Sequence, residues 1–342
     1  MKTIKTLALI GAIALGLTSC SDNTSNVTAQ LDTKLLFTSN NDDGNVNVYN
    51  VTNLSAVATS TLTTPISAAD GVYYNSDEDL VVQASRSTFG LEGYAGITTS
   101  SSLISTTVTA SVVGSLDMTS PRELAVNGSF YVVADNADAD GDDTTDDGRL
   151  FVYTKNGNSF TLRNTITTDI KLWGIIFIGN DLYAIADTTN ELAVYTNFLN
   201  NTTTTTLATS KKIAVEGIVR THGLTYDAMT DTMVLTDIGD ASNGQDDGGF
   251  QVIDNFTSKF SSTVNGATLA VAQQTRVSGA STLLGNPVDV AYDGESQTVF
   301  IAEAGNNGGR ILAFSNIGSG GDVAPSYNSS LAKASAVYLY KE

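Results

Sequence analysis

The sequence predicts an all-β fold: a six-bladed β-propeller with four-stranded blades, its ring closed by the C-terminal strand. Three observations carry this expectation. Apolar residues come in short runs rich in Val, Ile, Tyr, Phe and Thr, bounded by Asn, Asp, Gly and Ser clusters, as short strands ended by turns do. Beyond the first thirty residues no apolar stripe of helical period and useful length occurs. The runs recur as a unit roughly every 50 residues, the length of a propeller blade. A β-sandwich needs no such period, and a β-helix repeats at roughly 20 residues.

The chain begins with a different kind of segment. Lys2 and Lys5 precede an apolar run from Leu7 to Leu17. A basic start and a short apolar core describe a secretory signal peptide, since a bilayer span needs about 20 apolar residues. Leu17-Thr18-Ser19-Cys20 follows and resembles the lipobox of bacterial lipoproteins. That resemblance implies removal of residues 1–19, a diacylglycerol on the Cys20 thiol, acylation of its new amine, and anchoring in the outer membrane. Residues 20–30 read as a polar, flexible tether. Ser21-Asp22 is similar to the acidic export signal of surface-exposed Bacteroidota lipoproteins, and Asp231-Thr232-Met233 to their short O-glycosylation motif. Residues 31–342 are then the propeller. Cys20 is the only cysteine, so lipidation leaves no thiol for a disulfide and the core alone must hold the fold.

The formal net charge is −19. Such a surface repels phosphate backbones, which argues against nucleic acid as a partner, and it attracts cations.

The blades follow in order. Innermost strands start at Gly71-Val72-Tyr73-Tyr74, Glu123-Leu124-Ala125-Val126, Gly174-Ile175-Ile176-Phe177, Gly223-Leu224-Thr225-Tyr226 and Asp289-Val290-Ala291-Tyr292. Second strands include Phe130-Tyr131-Val132-Val133-Ala134-Asp135, Leu182-Tyr183-Ala184-Ile185-Ala186-Asp187, Met233-Val234-Leu235-Thr236-Asp237 and Val299-Phe300-Ile301-Ala302-Glu303. Third strands follow a polar loop, as at Arg149-Leu150-Phe151-Val152-Tyr153 and Arg310-Ile311-Leu312-Ala313-Phe314, and a Thr-rich fourth strand closes the unit. Pro65, Pro121 and Pro287 stand just before or at strand starts, where a missing N–H costs least. The first blade has Lys34-Leu35-Leu36-Phe37 and Val46-Asn47-Val48-Tyr49 but no innermost strand before them. Ala334-Ser335-Ala336-Val337-Tyr338-Leu339-Tyr340 can supply it, which closes the ring and removes open sheet edges. Thr202 to Thr206 reads as an outer strand or its turn.

This recurring run resembles the blades of NHL and YVTN-type propellers over most of the chain after residue 30. The resemblance implies fold more than function, because propellers host many activities.

Two places could carry chemistry. The first is the channel mouth, where each innermost strand begins. Asp70, Arg122, Trp173, His222 and Val288 stand there, followed by Gly71, Glu123, Gly174, Gly223 and Asp289. The only Trp and the only His of the chain share this repeat position. Trp173 offers a stacking surface, His222 a base or ligand near neutral pH, Asp70, Glu123 and Asp289 carboxylates, and Arg122 a partner for an anion. The plain alternative is a polar, water-filled channel plugged by Trp173. Six-bladed calcium-dependent lactonases of the gluconolactonase type look similar in blade pattern. At two strand starts they show Asn-Gly-Leu and Pro-Asp-Gly, where this chain has His222-Gly223-Leu224 and Pro287-Val288-Asp289. The asparagine is absent and the aspartate is shifted by one, which predicts that Asp289 faces the other side of its strand. One His and no free Cys leave no Ser-His-Asp or Cys-His arrangement.

The second place is the acidic loop from Asp135 to Arg149. Asn136, Asp138, Asp140, Thr144 and Asp147, with Gly141 at the sharp turn, have the spacing of oxygen ligands in a calcium loop. The alternative is a solvated acidic turn. Similar loops are Asn40 to Asn45, Asp237 to Gly249 and Gly305 to Gly309. The expected function is therefore a cell-envelope lipoprotein whose propeller is a non-enzymatic binding or scaffold module, with calcium as its cofactor and a glycan, peptide or envelope protein as partner. A calcium-dependent lactonase or hydrolase at the channel mouth is the alternative, and a purely structural surface protein is a third.

Overall fold

A computed structural model describes residues 33–97, 105–142 and 144–342. The signal, Cys20 and the tether lie outside these residues, as does Asp143 of the acidic loop. Strand pairing among the described residues gives six four-stranded antiparallel runs. Five begin with the innermost strands Ala69–Asn75, Pro121–Asn127, Leu172–Ile178, Leu224–Asp227 and Pro287–Asp293. The sixth is completed by Ala334–Lys341, which pairs antiparallel with Lys34–Asn40 in the register Phe37 to Tyr338. Each innermost strand neighbours the next, and Ala334–Lys341 touches both Pro287–Asp293 and Ala69–Asn75. The fold is an all-β propeller closed by its two ends.

The core lies between blades. Six buried apolar clusters sit between successive blades. Leu35 and Phe37 enter the cluster shared with the second blade, while Leu36 enters the one shared with the last. Val81 and its neighbours Leu80 and Val82 divide in the same way. Side chains alternate across a strand, and here both faces are buried. That is why the sequence shows continuous apolar runs instead of a clean alternation.

Some features depart from the simplest repeat. The outer strands of the second and third blades join through a short parallel pair, Val112–Gly114 with Ser159–Thr168. Thr205–Leu207 adds to the outer edge of the third blade. A helix, Phe256–Ser262, interrupts the fifth blade, and its Phe256 and Phe260 pack on Tyr183. Their spacing of four places both rings on one helix face.

Candidate functional site

The strand starts at the channel mouth are bulged. Register shifts fall at Ala69/Val72, Leu172/Ile175 and Pro287/Asp289, and the pairing of Pro121–Asn127 slips at the same point. A bulge bends a strand and re-aims its side chains. Asp289 consequently lies in the channel beside Glu123, contrary to the expectation that a one-residue shift turns it away. Glycine supplies the close approach between neighbours. A Cβ on Gly71 would stand 2.5 Å from the Leu124 nitrogen, and one on Gly223 would stand 2.6 Å from the Asp289 Cα.

The residues expected to form one mouth separate into two cavities. Asp70, Arg122 and Trp173 line a shallow pocket of about 180 Å³, together with Asn41 and Arg86. Glu123 and Asp289 line the central channel, about 330 Å³. His222 is buried and lines neither.

In the shallow pocket Asp70 lies 3.3 Å from both Arg86 and Arg122 and accepts a 2.5 Å bond from the Asn41 amide. Burial pushes the Asp70 carboxyl up, and the two guanidinium groups oppose that. The Arg122 guanidinium sits 4.2 Å from the centre of the Trp173 ring, and His222 stacks on Trp173 at 3.6 Å with the planes 2° apart. One ring face cannot hold both groups at these distances, so Trp173 is sandwiched and neither face is open to a sugar. Its flat surface is used within the protein. His222 Nε2 lies 3.2 Å from Asp187, which also accepts bonds of 2.9 and 2.7 Å from Arg220. Burial opposes ionisation of Asp187, but His222 and Arg220 outweigh it and hold the carboxyl down at about 2. Burial lowers the His222 pKa against the opposing pull of Asp187. The His222 Nδ1, the Arg122 Nε and the Asn41 Oδ1 have no hydrogen-bond partner among the described residues.

In the channel the Glu123 and Asp289 carboxyls are within hydrogen-bonding reach of each other. Asp289 accepts from the Val290 and Val337 N–H groups at 2.8 Å each, and Glu123 accepts from the Leu124 N–H at 2.7 Å. Burial drives both pKa values up, and the two carboxyls lie close enough to share one proton. Two like charges this deep cannot both ionise near neutral pH.

The acidic loop brings Asp138, Asp140 and Asp147 together, with one carboxylate oxygen of each within 4.8 Å of the others. Asp138 accepts from the Asp140 and Gly141 N–H groups, and Asp147 from Ala139. Three hard oxygen donors at this spacing are a candidate cation site. Asn136 is buried, its N–H bonded to the Ser120 carbonyl, and the Thr144 hydroxyl donates to Asp142 at 2.6 Å.

Sequence reading missed Asn41, Arg86, Asp187 and Arg220. Asp187 was visible as the acid ending a second strand, a position shared by Asp135, Asp237 and Glu303. In those three blades the acid accepts from two successive backbone N–H groups leading to the innermost strand: Thr119 and Ser120, Val219 and Arg220, Gly285 and Asn286. Asp187 instead binds Arg220 and His222 of the next blade.

Comparison with known proteins gives fold only. No family model and no curated protein sequence matches the chain. Among solved structures, a chain of a nidogen/laminin complex matches with TM-score 0.56 and 14% identity, over 90% of this chain and 98% of that one. A Bacteroides fragilis protein provisionally described as a 6-phosphogluconolactonase matches with TM-score 0.57 and 10% identity, over 92% and 99%. A Bacteroides uniformis protein with the same provisional description matches with TM-score 0.56 and 11% identity, over 88% and 84%. These are propeller-type folds. Identities this low carry the fold and leave activity to the site itself.

Proposed function

We propose that this protein is a lipid-anchored β-propeller of the bacterial cell envelope, held in the outer membrane through Cys20 and displayed at the cell surface. Its propeller works there as a non-enzymatic binding module. The observation that carries the binding reading is the mutual pairing at the mouth. Asp70 is held by Arg86 and Arg122, and His222 by Asp187 and Trp173. Groups compensated in this way hold the loop face rigid from beneath and leave no free base beside a nucleophile. Calcium at Asp138, Asp140 and Asp147, aided by Asn136 and Thr144, stiffens the neighbouring loop. The partner is a glycan, peptide or envelope protein that meets the loop face.

The test is a calorimetric titration of the protein with calcium, with melting curves in EDTA as control. Micromolar binding and a raised melting temperature are expected, both lost in an Asp138→Ala, Asp140→Ala variant whose circular dichroism is unchanged. No heat and no shift would remove calcium from this reading. The alternative, a calcium-dependent lactonase or hydrolase, is supported by the buried Glu123–Asp289 carboxyl pair in the channel and by the provisional descriptions of two fold relatives. Calcium-dependent turnover in a screen of sugar lactones, abolished by Glu123→Ala, would favour it over a binding module.

A further inference from the structure

We propose that the central channel, entered from the end where the innermost strands finish, is a binding site for an organic cation: an ammonium group on an apolar or aromatic body. The channel's wall carries Tyr73, Phe177, Tyr226, Tyr292 and Tyr338, and Glu123 and Asp289 lie at its inner end. Among the described residues no Lys, Arg or His lines it. Tyr73, Phe177, Tyr226, Tyr292 and Tyr338 are each partly buried, packed on the interblade clusters with part of the residue exposed. Tyr73 and Tyr338 meet edge to face at 4.9 Å.

The chemistry of the occupant follows from this lining. A volume of about 330 Å³ falls within the range of small-molecule sites, roughly 300–1,000 Å³. Aromatic faces attract a cation through their quadrupole, most strongly where water is excluded. Two carboxyls at the inner end give the cation a charge-assisted hydrogen-bond acceptor. An anion would meet those carboxyls with no cation to offset them. Arg86 and Arg122 belong to the separate pocket behind the inner end and do not line the channel. Lys34 and Lys341, on the strands that close the ring, are both bound to Asp293, and Asp227 adds further negative charge beside Tyr226 and Tyr292. The site is independent of the loop face and of calcium.

The test measures binding of three probes of similar shape to the full protein by ligand-observed NMR: 2-phenylethylammonium, 2-phenylethanol and 3-phenylpropanoate. The ammonium is expected to bind about tenfold or more tightly than the alcohol, with the carboxylate weakest. Asp289→Asn is expected to weaken the ammonium about tenfold and leave the alcohol unchanged. Tyr338→Arg, at a partly exposed position, keeps the test decisive if the buried substitution fails to fold. It sets a fixed positive charge in the channel and is expected to abolish ammonium binding without touching the calcium response of the loop. Equal affinity for the three probes, no binding at millimolar concentration, or full ammonium affinity in Tyr338→Arg would overturn the proposal.

Discussion

Gly223 shows how little space the mouth allows. One of its Cα hydrogens faces the backbone of the neighbouring strand, where an added methyl group would stand 2.6 Å from the Asp289 Cα. Backbone cannot step aside as a flexible side chain can. Gly223→Ala is therefore expected to cost about 1–3 kcal/mol, read as a lower urea midpoint with an unchanged slope. The Glu123–Asp289 pair makes a second prediction at this scale. Burial raises Asp289 to about 7, above its unfolded value of about 3.9. A carboxyl raised in this way contributes stability that is complete below its unfolded pKa and lost as pH rises through its folded pKa. The wild-type melting temperature should thus fall between about pH 4 and pH 8. Glu123→Gln keeps a donor to Asp289 and removes the competing charge, so its decline over the same range should be shallower. Parallel curves for the two proteins would show that the pair does not share a proton.

The C-terminal strand is where an element decides the fold. Ala334–Lys341 pairs with Lys34–Asn40 and brings Lys341 to Asp293 of the last blade, where Lys34 also binds. Two cations from the two ends of the chain thus hold one carboxylate. Burial opposes the ionisation of Asp293, yet Lys34, Ser296 and Lys341 outweigh it and set the carboxyl at about 2. A depressed carboxylate gives stability that is present above its unfolded pKa and disappears as pH falls through its folded pKa. Asp293→Asn should therefore lose on the order of 2 kcal/mol at neutral pH. The difference from wild type should vanish as pH falls from about 4 to about 2, measured by urea unfolding at each pH. A constant difference at every pH would mean that packing around the amide, not charge, sets the cost.

At the scale of the whole molecule, the net charge of −19 acts against compaction, because like charges repel more in the folded state than in the expanded chain. Raising sodium chloride from about 10 mM to about 150 mM shortens the Debye length from roughly 30 Å to 8 Å. The melting temperature should rise over that range. A fall would mean that the ion pairs at the mouth and at Asp293 outweigh the general repulsion.

The repeat was legible because each strand is buried on both faces, so a blade writes itself as apolar runs between polar turns. The missing innermost strand of the first blade was legible for the same reason: Ala334 to Tyr340 is an apolar run with no partner inside its own unit. The position of the mouth followed from the repeat, which placed Asp70, Arg122, Glu123, Trp173, His222 and Asp289 at equivalent strand starts. Their partners were not legible. Arg86 reaches Asp70 from its own blade, Asn41 from the preceding one and Arg122 from the next, and Asp187 binds residues of the blade after its own. Such pairs are distant in sequence or hidden by the local pattern, and periodicity reports only which face a residue occupies. The bulges at the strand starts decided the rest. They reset the alternation at Asp289 and set it against Glu123 in the channel. Local pattern determined the strands and the order of the blades, because burial repeats with each unit; only the closed ring decided which charges meet, because that depends on how neighbouring blades pack.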